Sequence, residues 1–401
     1  MKAWGFILSI VVILTIHPQS LYSRENNSFT LIDFYGDTAL LPIGKSLVIN
    51  FDEPVTKEAV QHFYDKANAA AYQPVIDSLL AFRERNQLND WFYYQLIRKT
   101  AQSISPKEDN YPRYTLYKWF FLAKSGYDAN LAISDGQLIF YVRSEDSIYD
   151  IPYYTREGKH YVCLNMHDYA NKSFDFEKDG IYPTDITVQE GVQSFSYKVT
   201  RIPSFSPTYY AEKDIQFKFG HKAYQFKVKV NPQINTIFAN YPVTDIESYF
   251  NIPLSDETYN SLIPELKKNV SKMDQQTGVD YLMEFTRNAF LYKDDKENFG
   301  KEKRMSPEQT LLYNYSDCDD RAAFFFYLVK EIYNLPMVAL LYPTHLTIAV
   351  KFDNPPAKSF TYKGNQYAIC EPTSPLLSIG ETNPELSTTS YRVAYEYNPG
   401  R

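Results

Sequence analysis

The sequence predicts an α+β protein in which a helix packed on an antiparallel sheet occurs twice, with a β-rich insert between the copies. At 401 residues the chain exceeds the roughly 100 to 200 residues of a common domain, so two or three packed units are expected. In each half, segments with helical periodicity precede segments that alternate polar and apolar residues, as strands do. Short runs of the first half also recur in the second at a spacing of roughly 200 residues, as in a duplication.

The duplication is clearest at the start and at the end of each half. Residues 50–58 (NFDEPVTKE) resemble residues 249–257 (YFNIPLSDE), and residues 158–165 (GKHYVCLN) resemble residues 364–371 (GNQYAICE). The spacing changes little from one pair to the next, which indicates small insertions in loops. The predicted domains are therefore a signal peptide at 1–23, a first copy at 24–168, a β-rich linker domain at 169–245 and a second copy at 246–401.

Helical segments come first in each copy. The predicted segments are residues 58–85 and 89–102 in the first copy, and residues 257–272, 277–290 and 317–333 in the second. The segment at 317–333 carries apolar residues at helical spacing and is followed by Asn334 and Pro336. We therefore expect it to be a buried central helix that ends at those two residues.

Strands follow the central helix. Alternating segments lie at residues 337–342, 345–352, 360–363 and 366–370, and the tail at 390–397 can add one more strand. Gly364 and Asn365 are predicted to form the two-residue turn of a hairpin. The result is an antiparallel meander packed on the helix. Between the copies, residues 172–242 alternate in short runs separated by Pro and Gly, for which a small sandwich is one interpretation.

The N-terminus has the pattern of a secretory signal. Lys2 precedes an apolar run at 6–16, which is followed by Pro18 and small residues. The run is shorter than the roughly 20 residues needed to cross a bilayer, so cleavage is favoured over retention as an anchor. We expect an exported protein, periplasmic or extracellular, with no stable membrane span after signal cleavage.

The charge composition argues against nucleic acid as a partner. The chain has 48 acidic and 41 basic residues, and no long basic block that could neutralise a phosphate backbone. Its 36 Tyr and 27 Phe indicate strands and surfaces rich in amphipathic rings instead.

The chain contains an odd number of cysteines. Cys163, Cys318 and Cys370 are the three in the chain, and an odd count in an oxidising compartment leaves at least one free thiol. Cys163 and Cys370 lie in matching strands of the two copies, so a bridge between them is an alternative to three free thiols.

Three reactive side chains follow one another in the second copy. Cys318 stands at the start of the predicted central helix, His345 opens a predicted strand, and Glu371 closes another strand of the same meander. A cysteine nucleophile needs a base to take its proton, and the base needs a group that fixes its tautomer. We predict Cys318 as the nucleophile, His345 as the base and Glu371 as the orienting acid. No residue is assigned to substrate binding.

The groups around Cys318 act on its thiol in opposite directions. Residues 316–319 (SDCD) fit a capping box, which would place Cys318 in the first helical turn, where free amides and the helix dipole lower a thiol pKa. The carboxylates of Asp317, Asp319 and Asp320 raise it. A neighbouring imidazolium is therefore expected to be needed for a thiolate at neutral pH.

At these residues the chain resembles the transglutaminase-like family of papain-fold proteins. Residues 317–322 (DCDDRA) match the family's motif around the nucleophile, residues 344–350 (THLTIAV) look like its histidine strand, and residues 371–373 (EPT) look like its Asp-Pro-Thr motif. The resemblance implies a papain-like transglutaminase core, and hydrolysis of peptide amides or acyl transfer from glutamine to an amine. One departure is that the third member is Glu371, whose side chain is one methylene longer than the family's Asp.

The first copy lacks the reactive set. At the corresponding positions it has Tyr114, Gln137 and Asn165, and an Asp135–Gly136 hairpin replaces the approach to the histidine strand. None of the three side chains can do the chemistry. We therefore expect a degenerate copy that packs against the second or shapes its substrate groove.

Metals and cofactors are not part of the predicted chemistry. His160, Cys163 and His167 are of metal-binding types, but positions 160 and 163 of a strand face opposite sides, so one site would require an irregular backbone. Residues 175–186 resemble the first half of a calcium loop, yet Ile186 stands where a bidentate Glu is needed. The sequence predicts neither a metal site nor a cofactor.

Two functions are compatible with the sequence. The first is an exported cysteine-dependent amide hydrolase or acyl transferase, acting through an acyl-enzyme on a peptide or protein substrate, with cell-wall peptide as one candidate. The second is a catalytically inactive transglutaminase-like module that binds extracytoplasmic peptide or glycan in a tyrosine-lined groove. The reactivity of Cys318 distinguishes them.

Overall fold

The computed structural model describes residues 29–169, 182–293, 303–386 and 388–400. They form a mixed α/β protein whose two large sheets are antiparallel, as the sequence predicts. The signal peptide predicted at 1–23 lies outside the described residues. Among the helices that are described, none has both the length and the apolar character needed to cross a membrane.

The helices are α1 (Lys57–Ala69), α2 (Gln73–Arg85), α3 (Asp90–Ile104), α4 (Tyr111–Lys124), α5 (Gln233–Phe238), α6 (Ile246–Phe250), α7 (Asp256–Val270), α8 (Gln275–Asn288), α9 (Pro307–Leu312) and α10 (Cys318–Tyr333). The strands of the first half are β1 (Thr30–Phe34), β2 (Asp37–Leu41), β3 (Ala129–Ser134), β4 (Gln137–Arg143), β5 (Ile148–Tyr149), β6 (Tyr153–Arg156), β7 (Lys159–Cys163) and β8 (Tyr182–Pro183). Those that follow are β9 (Ala211–Phe219), β10 (Lys222–Val230), β11 (Val243–Thr244), β12 (Leu291–Tyr292), β13 (Tyr315–Ser316), β14 (Met337–Leu341), β15 (Leu346–Val350), β16 (Phe360–Tyr362), β17 (Asn365–Cys370) and β18 (Arg392–Tyr397).

One predicted helical segment is two helices in the structure. The run at 58–85 is interrupted between α1 and α2, where Ala70 takes an extended conformation with ψ 166°. Pro74, in the first turn of α2, has no amide hydrogen to donate to the carbonyl of Ala70, so a continuous helix would lack a hydrogen bond there.

The central helix α10 is confirmed, and we call it the Cys318 helix. Its side chains from Asp320 to Val329 are all buried. It ends at Asn334, whose left-handed backbone (φ 52°) lets its amide bond back to the carbonyls of Val329 and Lys330. Pro336 follows, and β14 begins directly after it.

The second sheet has the strand order β16-β17-β15-β14-β18. Alternate residues of β14 and β15 face opposite ways: Ala339 and Ile348 belong to the core shared with the Cys318 helix, whereas Val338 and Ala349 belong to a separate cluster on the other face. The hairpin turn is one residue earlier than predicted. Tyr362 pairs with Asn365, so the turn is Lys363–Gly364, with φ 46° and 77°, values typical of the tight turns in hairpins.

The first sheet has the strand order β6-β7-β4-β3-β8. In both sheets the first two strands after the central helix pair with each other, the next two form a hairpin at one edge, and the last strand closes the other edge. Helix α4 precedes the first sheet as the Cys318 helix precedes the second.

Within the insert, β9 and β10 form a two-stranded ribbon rather than a sandwich, while β8 joins the first sheet. Strands β9 and β10 pair along all nine residues. The ring of Phe217 packs on Tyr281 and Phe285 of α8, with ring centroids 5.1 and 5.3 Å apart. Ile215 and Val228 belong to the same buried cluster as both halves. The ribbon thus adds to one continuous core.

Candidate active site

The Cys318 helix begins with a capping box. The side chain of Asp317 accepts a hydrogen bond from the Asp320 amide at 3.1 Å, and Asp320 accepts one from the Asp317 amide at 3.4 Å. The box is one residue later than predicted, because Ser316 instead accepts from Nε of Arg321 at 3.0 Å. Cys318 is consequently the first helical residue, where its amide has no acceptor within the helix.

Asp320 is a structural carboxylate and not a free charge beside the thiol. It is fully buried, and its Oδ1 also accepts from the Met305 amide at 2.8 Å and the Tyr249 hydroxyl at 3.1 Å. Its charge is thereby held by three donors within the protein.

The sulfur of Cys318 lies beside the start of β15. It is half-buried, within hydrogen-bond reach of the Leu346 backbone amide, and its thiol is 3.5 Å from Oδ1 of Asp319. Leu346 directly follows His345 in the chain. The helix start and the histidine are therefore neighbours in space, although 27 positions separate Cys318 from His345 in the sequence.

His345 and Glu371 form a direct pair. Nε2 of His345 lies 2.7 Å from Oε2 of Glu371, and the two side chains are only 14% and 3% exposed. The other carboxylate oxygen of Glu371 accepts from the Thr373 amide at 2.9 Å. With Nε2 bonded to the acid, Nδ1 is the ring nitrogen that can exchange a proton with a thiol.

The surroundings of His345 favour its protonated form. Burial opposes the charge, but the hydrogen bond to Glu371 and the negative charges of Glu371, Asp319 and Asp317 outweigh it, so the pKa of His345 is raised. Asp317 and Asp319 flank Cys318 in the chain. Their effect on the histidine is a second sign that the ring and the helix start are close together.

The pKa of the Cys318 thiol is raised, whereas the start of a helix is expected to lower it. Burial raises the pKa of Cys318, Asp319 and Asp317 raise it further, and the Leu346 amide only partly offsets them. Desolvation also raises the pKa of Cys163, to about 12. All three cysteines are free thiols, and Cys163 and Cys370 are fully enclosed. Cys318 is thus the accessible thiol of the three.

Two arginines hold the loop that follows Glu371. Nε of Arg287 donates to the carbonyl of Glu371 at 2.9 Å, and Nη2 donates to that of Leu377 at 2.7 Å. Arg321 of the Cys318 helix donates to the carbonyl of Thr373 at 3.3 Å. Sequence reasoning did not single out Arg287. Helical spacing offers one signal: Arg287 follows Met283 by four residues, so the two share a face of α8, and the structure shows that this face is buried.

Arg304 is a second residue that the sequence did not reveal. Its Nε lies 3.6 Å from Oδ2 of Asp319, and its Nη1 donates to the carbonyl of Thr244 at 2.8 Å. It therefore joins the acidic neighbour of Cys318 to the segment before α6. No periodic pattern around Arg304 indicates this contact, because it depends on the tertiary fold.

The first half has unreactive side chains at the three positions predicted to correspond to Cys318, His345 and Glu371. Asn165 is fully buried, donates to the carbonyl of Leu138 at 2.9 Å and accepts from the amide of Phe140 at 2.8 Å. Tyr114 is buried within α4, and Gln137 opens β4 after a tight turn. Asn165 thus ties its loop to a strand through the backbone.

Metal-binding side chains are dispersed over the described residues, where no group of three or more His, Cys, Asp or Glu could hold an ion. Sγ of Cys163 is 3.5 Å from Oδ1 of Asn165 in the interior, whereas Nδ1 of exposed His160 is 3.2 Å from Oγ1 of Thr155. Residues 175–181 of the calcium-like run lie outside the described residues.

No family model matches this chain, and no curated protein or solved structure matches it either. The transglutaminase-like resemblance therefore depends on the three sequence motifs alone.

Proposed function

We propose that this protein is an exported cysteine-dependent amide hydrolase or acyl transferase with a transglutaminase-like core, in which Cys318 is the nucleophile, His345 the base and Glu371 the orienting acid. The observation that carries the proposal is the 2.7 Å contact between His345 and Glu371, formed beside the helix start that bears the most accessible thiol. A thiol nucleophile, a base that lies beside the start of its helix, and an acid bonded to that base are the parts that acyl-transfer chemistry requires.

The raised pKa of the Cys318 thiol favours a mechanism in which the proton leaves as the sulfur attacks. His345 takes the thiol proton while sulfur forms a bond to the amide carbonyl carbon. The imidazolium, stabilised by Glu371, then gives the proton to the leaving amine as the carbon–nitrogen bond breaks. The thioester that remains is cleaved by water, yielding a carboxylic acid, or by a second amine, yielding a new amide. The Cys318 amide is one donor for the developing oxyanion.

The equal strand order of the two sheets supports a further part of the proposal, namely that the chain is one unit written twice. The first copy is then a degenerate unit. Its central helix and sheet are kept, while Tyr114, Gln137 and Asn165 have replaced the reactive side chains. In this account it supports the active copy and lines part of the substrate path.

The raised thiol pKa also favours a second candidate. A thiol that stays protonated, with Asp317 and Asp319 beside it, suits a transglutaminase-like module that binds extracytoplasmic peptide or glycan without turnover. In that case the Cys318, His345 and Glu371 side chains are kept for structure alone.

Trapping of an acyl-enzyme separates the two candidates. A reactive ester such as p-nitrophenyl acetate is mixed with the protein, and the acylated peptide is located by mass spectrometry. The enzyme proposal predicts acetylation at Cys318 together with a burst of p-nitrophenol, both lost in Cys318→Ala and kept in Cys163→Ala. Acetylation confined to lysines, with no dependence on Cys318, would contradict it.

A further inference from the structure

A buried lysine lies in α4, outside the proposed catalytic set. Lys118 is 1% exposed and lies one helical turn beyond Tyr114, the residue predicted to correspond to Cys318. Its Nζ lies over the rings of Tyr114 and Tyr111, 4.5 and 5.6 Å from their centroids. The ammonium forms no hydrogen bond or ion pair with the residues that the structure describes. A positive charge at this position is therefore unpaired.

This position is costly for an ammonium group. Lysine is rarely enclosed without a partner, because burial removes the water that stabilises its charge. The faces of the two tyrosine rings attract a cation, but they replace only part of that hydration. Loss of the proton removes the cost, so the enclosure favours the neutral amine.

The acid that acts most strongly on Lys118 is already bonded to other groups. Asp168 pairs with the ammonium of Lys107, accepts from the Tyr111 hydroxyl at 2.8 Å and lies 3.3 Å from Nε2 of His167. Its side chain is buried, with 6% exposed. Asp168 therefore attracts the charge of Lys118 without a direct contact.

The sum of these surroundings favours an uncharged lysine. Burial is the main effect and lowers the pKa of Lys118 to about 7. Asp168 and Cys163 raise that pKa, whereas the cations of Arg98 and Lys107 lower it further. Lys118 therefore changes its charge near neutral pH.

Several neighbours of Lys118 keep their protonation state between pH 6 and pH 8. Burial lowers the pKa of His167 to about 4 and raises that of Cys163 to about 12. Burial also raises the pKa of each of the four tyrosines in the cluster. The titratable groups around Lys118 are Tyr94 and Arg98 of α3, Lys107, Tyr111 and Tyr114 of α4, Cys163 of β7, and His167, Asp168 and Tyr169 after it.

We propose that Lys118 makes the packing of the first half sensitive to acidification. Above neutral pH the amine is uncharged and fits the enclosure between the two tyrosine rings. As the pH falls, it becomes an unpaired cation in the core, and this weakens the packing of α4 on α3 and on the segment after β7. The inference concerns α4 and does not depend on the function proposed for Cys318.

The sign of the effect follows from proton binding. A lysine in the unfolded chain has a pKa of roughly 10.4, whereas the folded-state pKa of Lys118 is about 7. Between these two values the unfolded state binds a proton that the folded state lacks, so stability rises with pH. Through this one group, the unfolding equilibrium constant should be about tenfold larger at pH 6 than at pH 8.

Urea unfolding at pH 6 and pH 8 compares the wild type with three variants. Lys118→Met replaces the amine by an apolar chain of similar length, so the tenfold change should be absent from its pH dependence. Lys118→Arg stays charged at both pH values and should lack the change as well. Lys66→Met, at an exposed lysine of α1, is the matched control and should keep the pH dependence of the wild type.

The same pH dependence in the wild type and in Lys118→Met would overturn the inference. A direct titration of the wild type covers the case in which a variant does not fold. With lysine labelled by carbon-13 at Cε, the NMR spectrum should contain one lysine signal that titrates near pH 7. A spectrum in which every lysine titrates above about pH 9 would overturn the inference as well.

Discussion

Nε2 of His345 lies 2.7 Å from Oε2 of Glu371. A glutamate can therefore orient the histidine at the position where the transglutaminase-like family, whose motifs this sequence resembles, has an aspartate. Arg287 donates to the carbonyl of Glu371, and the Thr373 amide donates to the other carboxylate oxygen, so both the backbone and the side chain of the acid are held at the end of β17. The departure noted in the sequence is therefore accommodated in the geometry.

The first prediction concerns the protonation of His345. Its pKa is raised through the hydrogen bond and the charge of Glu371, against the effect of burial, so Glu371→Gln should lower it. An NMR titration of the imidazole carbon signals measures the change. Glu371→Asp keeps the charge but shortens the side chain, and it should give a pKa between the other two. An unchanged pKa in Glu371→Gln would contradict the assigned pairing.

The second prediction concerns stability as a function of pH. Because the folded-state pKa of His345 is raised above its unfolded value of roughly 6.5, its pairing adds stability that is fully present below pH 6.5 or so and disappears as the pH rises through the folded pKa. Urea unfolding of the wild type and of His345→Gln across this range should show a difference that shrinks as the pH rises. A difference that grows with pH would have the wrong sign.

The third prediction separates two adjacent acids by their effect on stability. Asp320 accepts from three buried donors, so Asp320→Ala should lower the unfolding free energy by about 3 kcal/mol or more. Asp319 is 27% exposed and pairs with Arg304 at 3.6 Å, so Asp319→Ala should cost less than about 1 kcal/mol. Urea denaturation measures both. Equal losses would show that the capping box does not hold the helix start.

The fourth prediction concerns Asp319, the acid beside the thiol of Cys318. Burial is the main reason for the raised pKa of Cys318, and Asp319 is the largest charge effect after it. Asp319→Asn should therefore speed iodoacetamide labelling of Cys318 at pH 7, as read by peptide mass spectrometry. Asp65→Asn, an exposed acid of α1, is the matched control and should change nothing. Slower labelling in Asp319→Asn would instead assign that carboxylate a supporting role.

Much of the fold around the candidate site could be predicted from local pattern. The strict alternation in β14 and β15 and the apolar stripe of the Cys318 helix each reflect one buried face. The capping box and the hairpin turn are each wrong by one residue, at places where two neighbouring residues are equally suited to the same role. Ser316 and Asp317 can both cap a helix, and Arg321 decides between them by occupying Ser316. Gly364 favours a turn, but the cross-strand pairing of Tyr362 with Asn365 sets its register.

The supporting residues could not be predicted in the same way. Arg287 bonds to Glu371, which is 84 positions away in the chain, and Arg304 joins Asp319 to Thr244, which lies 60 positions before it. Their roles therefore depend on how the elements pack. Likewise, the alternation in β9 and β10 predicts strands, but it does not say that the ribbon packs on α8 instead of building a sandwich.

The measurement that tests the central claim most directly is the rate of iodoacetamide labelling at Cys318 as a function of pH, in the wild type and in His345→Ala. If His345 takes the thiol proton, the wild-type rate rises as the histidine loses its own proton, and the variant labels only at a higher pH, where the thiol ionises unaided. The same profile in both proteins would contradict a Cys318–His345 pair and, with it, the proposed enzyme.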